Sequence, residues 1–496
     1  MKNITVIGSG VAGLTTALRL QHDGYNVTIY EQRGEVGGKM NRVTGKGYTF
    51  DLGPTIVMMP DIYKEVLSYT GVNPDDYINF QPLDPMYRVT FPDGETIDAS
   101  SDLSKMIVDL EKRGDDVAAG FLKYLHKTYD KYIIAKDHFI EKTFRKPSDF
   151  YNFKTLRNAL KLKTFDSAHH TIQKYVKDEK IQNLLSFQTL YIGISPKKGP
   201  SIYTIIPMIE TLYGVHYAKG GMYSYAQALE KRFKELGGTI KLNTKVDEVV
   251  FENKVAKGIR IGEETITSDA VVVNADFPYA MDNLIKDKKA KGKYTEKYIH
   301  NMKYSCSVML LYIGVNKKIP NLKVHNLYFG KDFDENLNEI FTGKLPTDPA
   351  YYIYAPSVID DSVAPEGKEA LYVLIPVPEL KTAAFNWNEK TIDHYKHKIL
   401  DKIEQLEGLE DVRKHIDFLE IMHPVRFQNE LNAMYGATFG LAPTLGQSNY
   451  YRPKNVHPYA KNLYFAGSSV HPGAGVPIAI TSGKLVHQAI KEDSKR

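Results

Sequence analysis

Residues 3–31 read NITVIGSGVAGLTTALRLQHDGYNVTIYE, and this stretch decides the fold. Ile4, Val6 and Ile7 give a short strand dense enough in apolar residues to be buried on both faces. Gly8, Gly10 and Gly13 follow in G-x-G-x-x-G spacing and lead into a helix that runs through Leu20. His22, Asp23 and Gly24 end that helix, Tyr25 to Tyr30 is a second strand, and Glu31 stands at its carboxyl end. Strand, glycine turn, helix, strand and acid in this order make a dinucleotide-binding βαβ unit. Gly8 permits the tight turn, Gly10 lets the backbone approach a pyrophosphate, and Gly13 lets helix and strand pack closely. The helix start offers free N–H groups and a positive dipole end to phosphates. Glu31 is placed to accept hydrogen bonds from ribose hydroxyls, and its charge disfavours a 2′-phosphate. The competing reading is a structural glycine turn in some other α/β fold. The fingerprint does not by itself separate NAD from FAD.

Outward from this unit come two more glycine segments, Gly37-Gly38-Lys39 and Gly53-Pro54-Thr55, the second an extended Gly-Pro turn. A flexible surface loop is the plain reading of the first. At the far end, residues 462–483 read NLYFAGSSVHPGAGVPIAITSG. Leu463 to Ala466 is a strand that Gly467 ends, the turn runs from Ser468 to Gly475, and Val476 starts a helix. The chain therefore carries a glycine-rich strand–turn–helix at each end. Between them, Thr239 to Asn243 and Ala270 to Val273 are strands, and Val246 opens another. Residues 286–425 alternate strands such as SVMLLYIGV and EALYVLIPV with helical stretches.

The 496 residues suffice for two or three domains, and 43% apolar with 25% charged content is that of a globular protein. A net charge of +5, dispersed along the chain, gives no footprint for nucleic acid. The single cysteine, Cys306, excludes a disulfide, a cysteine zinc site or an iron–sulfur cluster within one chain, and no other metal-ligand cluster stands out. It fits a reducing compartment. No signal peptide and no run of the roughly 20 apolar residues a spanning helix needs is visible, so a soluble or surface-bound protein is expected.

Residues 100–200 have helical apolar spacing. Within them, residues 144–165 (FRKPSDFYNFKTLRNALKLKTF) place Phe150, Phe153, Leu156 and Leu160 on one helical face and Lys154, Arg157 and Lys161 on another. Such a basic amphipathic helix suits an anionic membrane surface; an ordinary surface helix is the competing reading. Residues 181–229 are dominated by apolar and aromatic side chains, a wall for an apolar ligand or plain core.

Glu31 followed by Gly37-Gly38-Lys39 resembles the signature of the flavoprotein superfamily of amine oxidases and phytoene desaturases. That family usually has Arg where Lys39 stands, so the charge is kept and the bidentate fork is lost. FQTLYIGISPKKGPSIYTIIPMIE and GVHYAKGGMYSYAQAL, with DLGPTIVMMPDIY and FRKPSDFYN, resemble the bacterial phytoene desaturases. They are most similar to the thirty-carbon branch, the dehydrosqualene (4,4′-diapophytoene) desaturases. The resemblance covers nearly the whole chain.

The resemblance implies an α/β fold. A Rossmann-type FAD-binding domain would be built from residues 1–99, 215–285 and 426–496, with an inserted mixed α+β substrate domain over 286–425. Residues 100–214 would form a helical, membrane-associated, substrate-tunnel part. It implies FAD held by Gly8, Gly10, Gly13, Glu31, Gly37, Gly38 and Lys39, with Gly53, Pro54 and Thr55 beside the flavin ring and Val246 at the adenine. Gly467 would approach the pyrophosphate, and the helix from Gly475 and Val476 would point at the flavin pyrimidine edge. Ser468 stands where the family often has an acid; His471 is read as a turn residue. It also implies a long-chain isoprenoid hydrocarbon substrate, stepwise desaturation to diaponeurosporene-type carotenoids, and oxygen or a quinone as electron acceptor. The location would be cytoplasmic, peripheral on the inner face of the cell membrane. No Ser/His/Asp set stands out and no proton acceptor is identified. A carotenoid isomerase, a terminal-methyl oxidase, or a non-catalytic prenyl-lipid carrier on the same scaffold stays open.

Overall fold

A computed structural model describes residues 2–162 and 166–495. Five parallel strands form the first sheet, in the order Thr239–Lys241, Asn26–Tyr30, Asn3–Ile7, Ala270–Val273, Leu463–Phe465. Its centre is buried on both faces, as an all-apolar parallel strand requires: Ala270, Val271, Val272 and Val273 are all buried. Helices Val11–His22, Tyr223–Glu235 and Val476–Ser494 cover one face, with Leu14, Leu18, Tyr225, Leu229, Ile480 and Val486 in that core layer. A three-stranded antiparallel sheet, Glu248–Glu252, Val255–Ile261 and Glu264–Thr267, packs Val249 and Ile259 on the other. The first and last strand–turn–helix units thus belong to one sheet.

A second, mixed sheet has seven strands: Ile416–Met422, Ser307–Val315, Glu369–Val377, Tyr351–Tyr354, His325–Tyr328, Tyr87–Thr90 and Thr96–Ala99. Period-two alternation buries both faces. Leu311, Ile313, Val373 and Ile375 pack on the helix Glu389–Ile403, while Val308, Leu310, Tyr312 and Tyr372 face the other way. That other face meets helices Asp115–Ala135, Glu179–Ser186 and Ile205–Tyr213.

Two expectations are corrected. Of residues 1–99, expected in the FAD-binding domain, only Asn3–Ile7 and Asn26–Tyr30 enter the first sheet, and residues 87–99 go to the second. Val89 pairs with Leu327 in the second sheet, a partner that no local spacing announces. The amphipathic run at 144–165 is not one helix. Pro147–Phe150 and Phe153–Leu162 are separated at Tyr151-Asn152, and the Asn152 side chain accepts the Thr155 N–H at 2.9 Å, capping the second. Phe150 turns inward onto Tyr450 (5.1 Å between rings) while Phe153 stays 81% exposed. Lys154 and Arg157 are exposed; the side chains of Leu156, Leu160 and Lys161 and residues 163–165 lie outside the described residues.

Candidate functional site

One cavity of about 440 Å³ joins the two sheets. Gly8, Gly10, Glu31, Gly37, Gly38, Lys39, Gly53, Pro54, Thr55, Val246, Gly467, Gly475 and Val476 all line it. Gly13 does not. A Cβ there would sit 2.5 Å from the Gly8 carbonyl oxygen, so Gly13 serves helix–strand packing. Val246 lies in the loop ahead of the strand Glu248–Glu252 rather than opening it. His471 is off the cavity wall, buried in the turn with Phe144 edge-on at 5.2 Å.

The glycines crowd around a residue that the sequence did not single out. Cβ atoms on Gly8 and Gly10 would lie 2.5 Å from the Asn274 carbonyl oxygen and 2.8 Å from its Oδ1. Asn274 donates its N–H to Ile7 (2.7 Å) and its Nδ2 to the Ala466 carbonyl (2.8 Å), tying the first strand to the last. Its Oδ1 is buried without a partner beside the cavity. The second glycine segment lies on the first: Gly37 N–H donates to the Ser9 carbonyl (2.9 Å), and a Cβ on Gly38 would meet Gly10 Cα at 3.3 Å. Glu31 is buried and held by the Ser9 N–H (2.9 Å), the Ser9 hydroxyl (2.7 Å) and the Arg33 N–H (2.9 Å), so its carboxylate is fixed at the cavity wall, which Val246 also lines.

Two helices begin at the cavity wall, at Gly10 and Gly475, and neither has a side-chain cap. Their first N–H groups face a shared space, an arrangement suited to a long anionic cofactor. Lys39 donates Nζ to the Thr438 carbonyl at 2.7 Å. Burial pulls its ammonium down and pushes the Asp276 carboxyl up, and the attraction between the two opposes both. Asp276 accepts from the Ser469 hydroxyl and the Met434 N–H, so this acid stands near the turn where Ser468 replaces one. Arg452 is no free cation: it donates to the carbonyls of Leu441, Gln447, Ser468 and Val470 and braces that turn.

Beyond Gly53 the wall becomes apolar. Tyr372 donates to the Gly53 carbonyl (2.9 Å) and Tyr312 to that of Leu52 (2.7 Å), seating the loop on the second sheet. Strand register then aligns Leu310, Leu374, Tyr352 and Leu327 in one row across four strands, and all four line the cavity. Phe187, Leu190, Tyr191 and Leu431 face them. The charged lining residues Glu31, Arg33, Lys39, Lys245 and Asp276 all lie in the glycine-rich half; Glu430 is exposed and paired with Arg426. Cys306 also lines the wall, and burial pushes its thiol up to about 12, which keeps it protonated.

Comparison with known proteins agrees with this geometry. Residues 11–491 match the family described as flavin containing amine oxidoreductase. The chain is 46% identical over 494 residues, 99% of each sequence, to a protein of Staphylococcus haemolyticus named 4,4′-diapophytoene desaturase (4,4′-diaponeurosporene-forming). A Staphylococcus aureus protein of the same name is 45% identical over 498 residues, again 99% of each. An oxidoreductase from Methanosarcina mazei shares the fold at TM-score 0.63 and 16% identity, over 99% of this chain and 100% of that one. The unpartnered Asn274 Oδ1, the glycine cradle and the two uncapped helix starts fit FAD, the cofactor of this family. The chain belongs to the flavin containing amine oxidoreductase family, within its phytoene desaturase branch.

Proposed function

We propose that this protein is an FAD-dependent dehydrosqualene (4,4′-diapophytoene) desaturase that installs conjugated double bonds stepwise and forms diaponeurosporene-type products. One observation carries the reading. A single cavity leads from two helix N-termini directly onto a row of apolar residues drawn from four strands. An aliphatic C–H bond is far too weakly acidic for a side chain to deprotonate first, so the redox chemistry belongs to the cofactor. When bound, FAD supplies the two-electron oxidant for the allylic CH2–CH2 unit.

The chain's own residues bind and orient. The N–H groups after Gly10 would hold the pyrophosphate, with Gly37, Gly38 and Gly467 allowing its approach. Glu31 would take the ribose hydroxyls and the backbone at Val246 would meet the adenine. The helix start at Gly475 and Val476 would face the pyrimidine edge, where negative charge collects on reduction. Lys39, attracted also by Asp276, would lie near the phosphates or ribose of the cofactor and offset phosphate charge. Gly53, Pro54 and Thr55 would bring the flavin against the second sheet, whose row Leu310, Leu374, Tyr352 and Leu327 would carry the hydrocarbon and keep water out. The second sheet, including residues 87–99, is on this reading the substrate side.

Location follows from solubility. Each CH2 withdrawn from water is worth about 0.8 kcal/mol, so a thirty-carbon hydrocarbon resides in the bilayer and the enzyme must meet it there. Among the described residues no helix is long and apolar enough to cross a membrane. A cluster around the 147–162 helices supports a surface-bound mode: Tyr151 (59% exposed), Phe153 and Tyr451 (49%) lie beside the exposed Lys146, Lys154 and Arg157. On this reading the protein sits on the cytoplasmic face of the cell membrane, and a membrane quinone or oxygen takes the electrons.

Expression in a host that accumulates diapophytoene tests the function. A yellow extract with the banded spectrum of a conjugated polyene is expected. An unchanged colourless extract, with folded FAD-loaded protein in the membrane fraction, would overturn it.

A further inference from the structure

The cavity wall carries a hydrogen-bonded chain that leads away from it into the core. Thr55 Oγ1 and the Tyr352 hydroxyl both line the cavity and lie 2.8 Å apart. The same hydroxyl lies 2.6 Å from His325 Nδ1. His325 is off the wall, 1% exposed, and stacked on Tyr354 and Tyr352 with ring centroids at 5.2 and 5.8 Å. Its Nε2 has no hydrogen-bond partner among the described residues. A fully buried imidazole with only one satisfied nitrogen is costly. The one group it bonds opens onto the apolar half of the cavity, in the row that faces the hydrocarbon.

We propose that Thr55, Tyr352 and His325 form the relay that accepts the proton released when each double bond is made. This rests on the desaturase reading. The bookkeeping closes within one turnover. With FAD bound to supply the hydride acceptor, one carbon of the CH2–CH2 unit would give up a hydride, and its neighbour would lose a proton to the wall hydroxyls. The electron pair of that second C–H bond becomes the π bond. The proton enters at Thr55 Oγ1 or the Tyr352 oxygen as the Tyr352 proton passes to His325 Nδ1, giving an imidazolium. The two electrons the substrate loses would be taken up by the bound cofactor. Their passage to a quinone or to oxygen would draw the proton back along the same chain, so that the acceptor leaves as quinol or hydrogen peroxide.

The acceptor need not be a strong base, because a carbon beside an allylic cation is a far stronger acid than any protein side chain. Position decides instead. Burial pulls His325 down to about 3, so its imidazole is neutral and ready to accept, and it returns the proton readily. The buried ammonium and carboxyl of the wall, Lys39 and Asp276, are less suitable. Lys39 bonds the Thr438 carbonyl, Asp276 is engaged by Ser469 and Met434, and both sit in the glycine-rich half.

Thr55 and Tyr352 are on this account catalytic residues; His325 acts through Tyr352 and is a positioning residue. Four variants, Tyr352→Phe, His325→Gln, Thr55→Val and Thr55→Ser, are loaded with FAD and mixed anaerobically with diapophytoene liposomes. Appearance of the conjugated polyene in a single turnover, which needs the proton step, is expected to slow by about 100-fold or more in Tyr352→Phe and His325→Gln. Thr55→Val is expected to slow as well, and Thr55→Ser, which keeps the hydroxyl, to recover most of the rate that Thr55→Val loses, each variant being compared at full FAD loading and below its own Tm. Nitrogen-15 NMR of the histidines, assigned through His325→Gln, gives a readout independent of turnover. His325 is expected as the Nε2–H tautomer, with Nδ1 accepting from Tyr352. Wild-type rates in Tyr352→Phe, or a His325 Nδ1–H tautomer donating to Tyr352, would overturn the relay. An inactive wild-type enzyme would instead overturn the desaturase reading.

Discussion

At the scale of single residues, Asn274 explains why three glycines are needed together. The strand end bearing it lies so close that a Cβ at Gly8, Gly10 or Gly13 would approach its atoms or the Gly8 carbonyl to 2.8 Å or less. Gly8 also has φ +93°, which a Cβ disfavours. Gly10→Ala should therefore weaken FAD at least about tenfold, or about 1.4 kcal/mol, in equilibrium dialysis; unchanged affinity would contradict the cradle. The glycines were legible because their spacing is a rule. Asn274 and Ser9 were not, because one short polar residue at a strand end or in a turn carries no spacing. Glu210 shows the same limit. It is fully buried, accepts from Gln188 (3.0 Å) and Tyr87 (3.2 Å), and leaves Oε1 without a partner. Burial raises its carboxyl from 4.5 to about 7. Between those values the unfolded chain has lost the proton and the folded one retains it, so stability falls as pH rises through that window. Glu210→Gln should be nearly neutral at pH 4.5 and stabilising by about 2 kcal/mol at pH 8, read from denaturant melts. An equal effect at both pH values would contradict this.

Elements are held by contacts between their ends. The first helix, Val11–His22, and the last, Val476–Ser494, lie side by side. Asp23, just past the first, accepts from Lys491 (2.6 Å) and His487 (2.9 Å) on the last and from Tyr69 (2.9 Å). Burial raises the Asp23 carboxyl, and the bonds from Lys491, His487 and Tyr69 outweigh it, for a net fall from 3.8 to about 2. Its stabilisation is complete above pH about 4 and lost as pH falls toward 2. Asp23→Asn should cost about 1 kcal/mol at pH 6, after allowing for solvent screening, and the gap from wild type should shrink to less than half as pH falls from about 4 to about 2. A gap that persists there would contradict the clamp. Strands 270–273 and 463–465 and the helix from Val476 could be read from apolar runs bounded by glycine. The membership of residues 87–99 could not, because strand pairing across the chain is set by register. The break at Asn152 was hidden by a helical period that continues through it, although a capping residue stood in the sequence.

In the whole molecule, the two ends of the chain build one half of a cavity and the second sheet builds the other. The lining of the glycine-rich half was legible in large part, because a close-packed glycine turn has a recognisable spacing. The hydrocarbon half was not. An apolar wall and an apolar core have the same composition, and only register shows that Leu310, Leu374, Tyr352 and Leu327 form one row. The surface near Phe153 bears on delivery. Replacing Lys154 and Arg157 by Glu should weaken binding to anionic liposomes severalfold and leave neutral liposomes little affected; unchanged sedimentation with anionic vesicles would remove this surface from the account. The central claim is that the cavity brings a linear isoprenoid against FAD. The most direct measurement mixes FAD-loaded protein with diapophytoene in anionic liposomes without oxygen, while the visible spectrum is recorded and the lipids are extracted. Flavin bleaching matched, mole for mole, by new conjugated double bonds is the predicted result. Oxidised flavin and unchanged lipid, with the protein folded and bound to the liposomes, would contradict it.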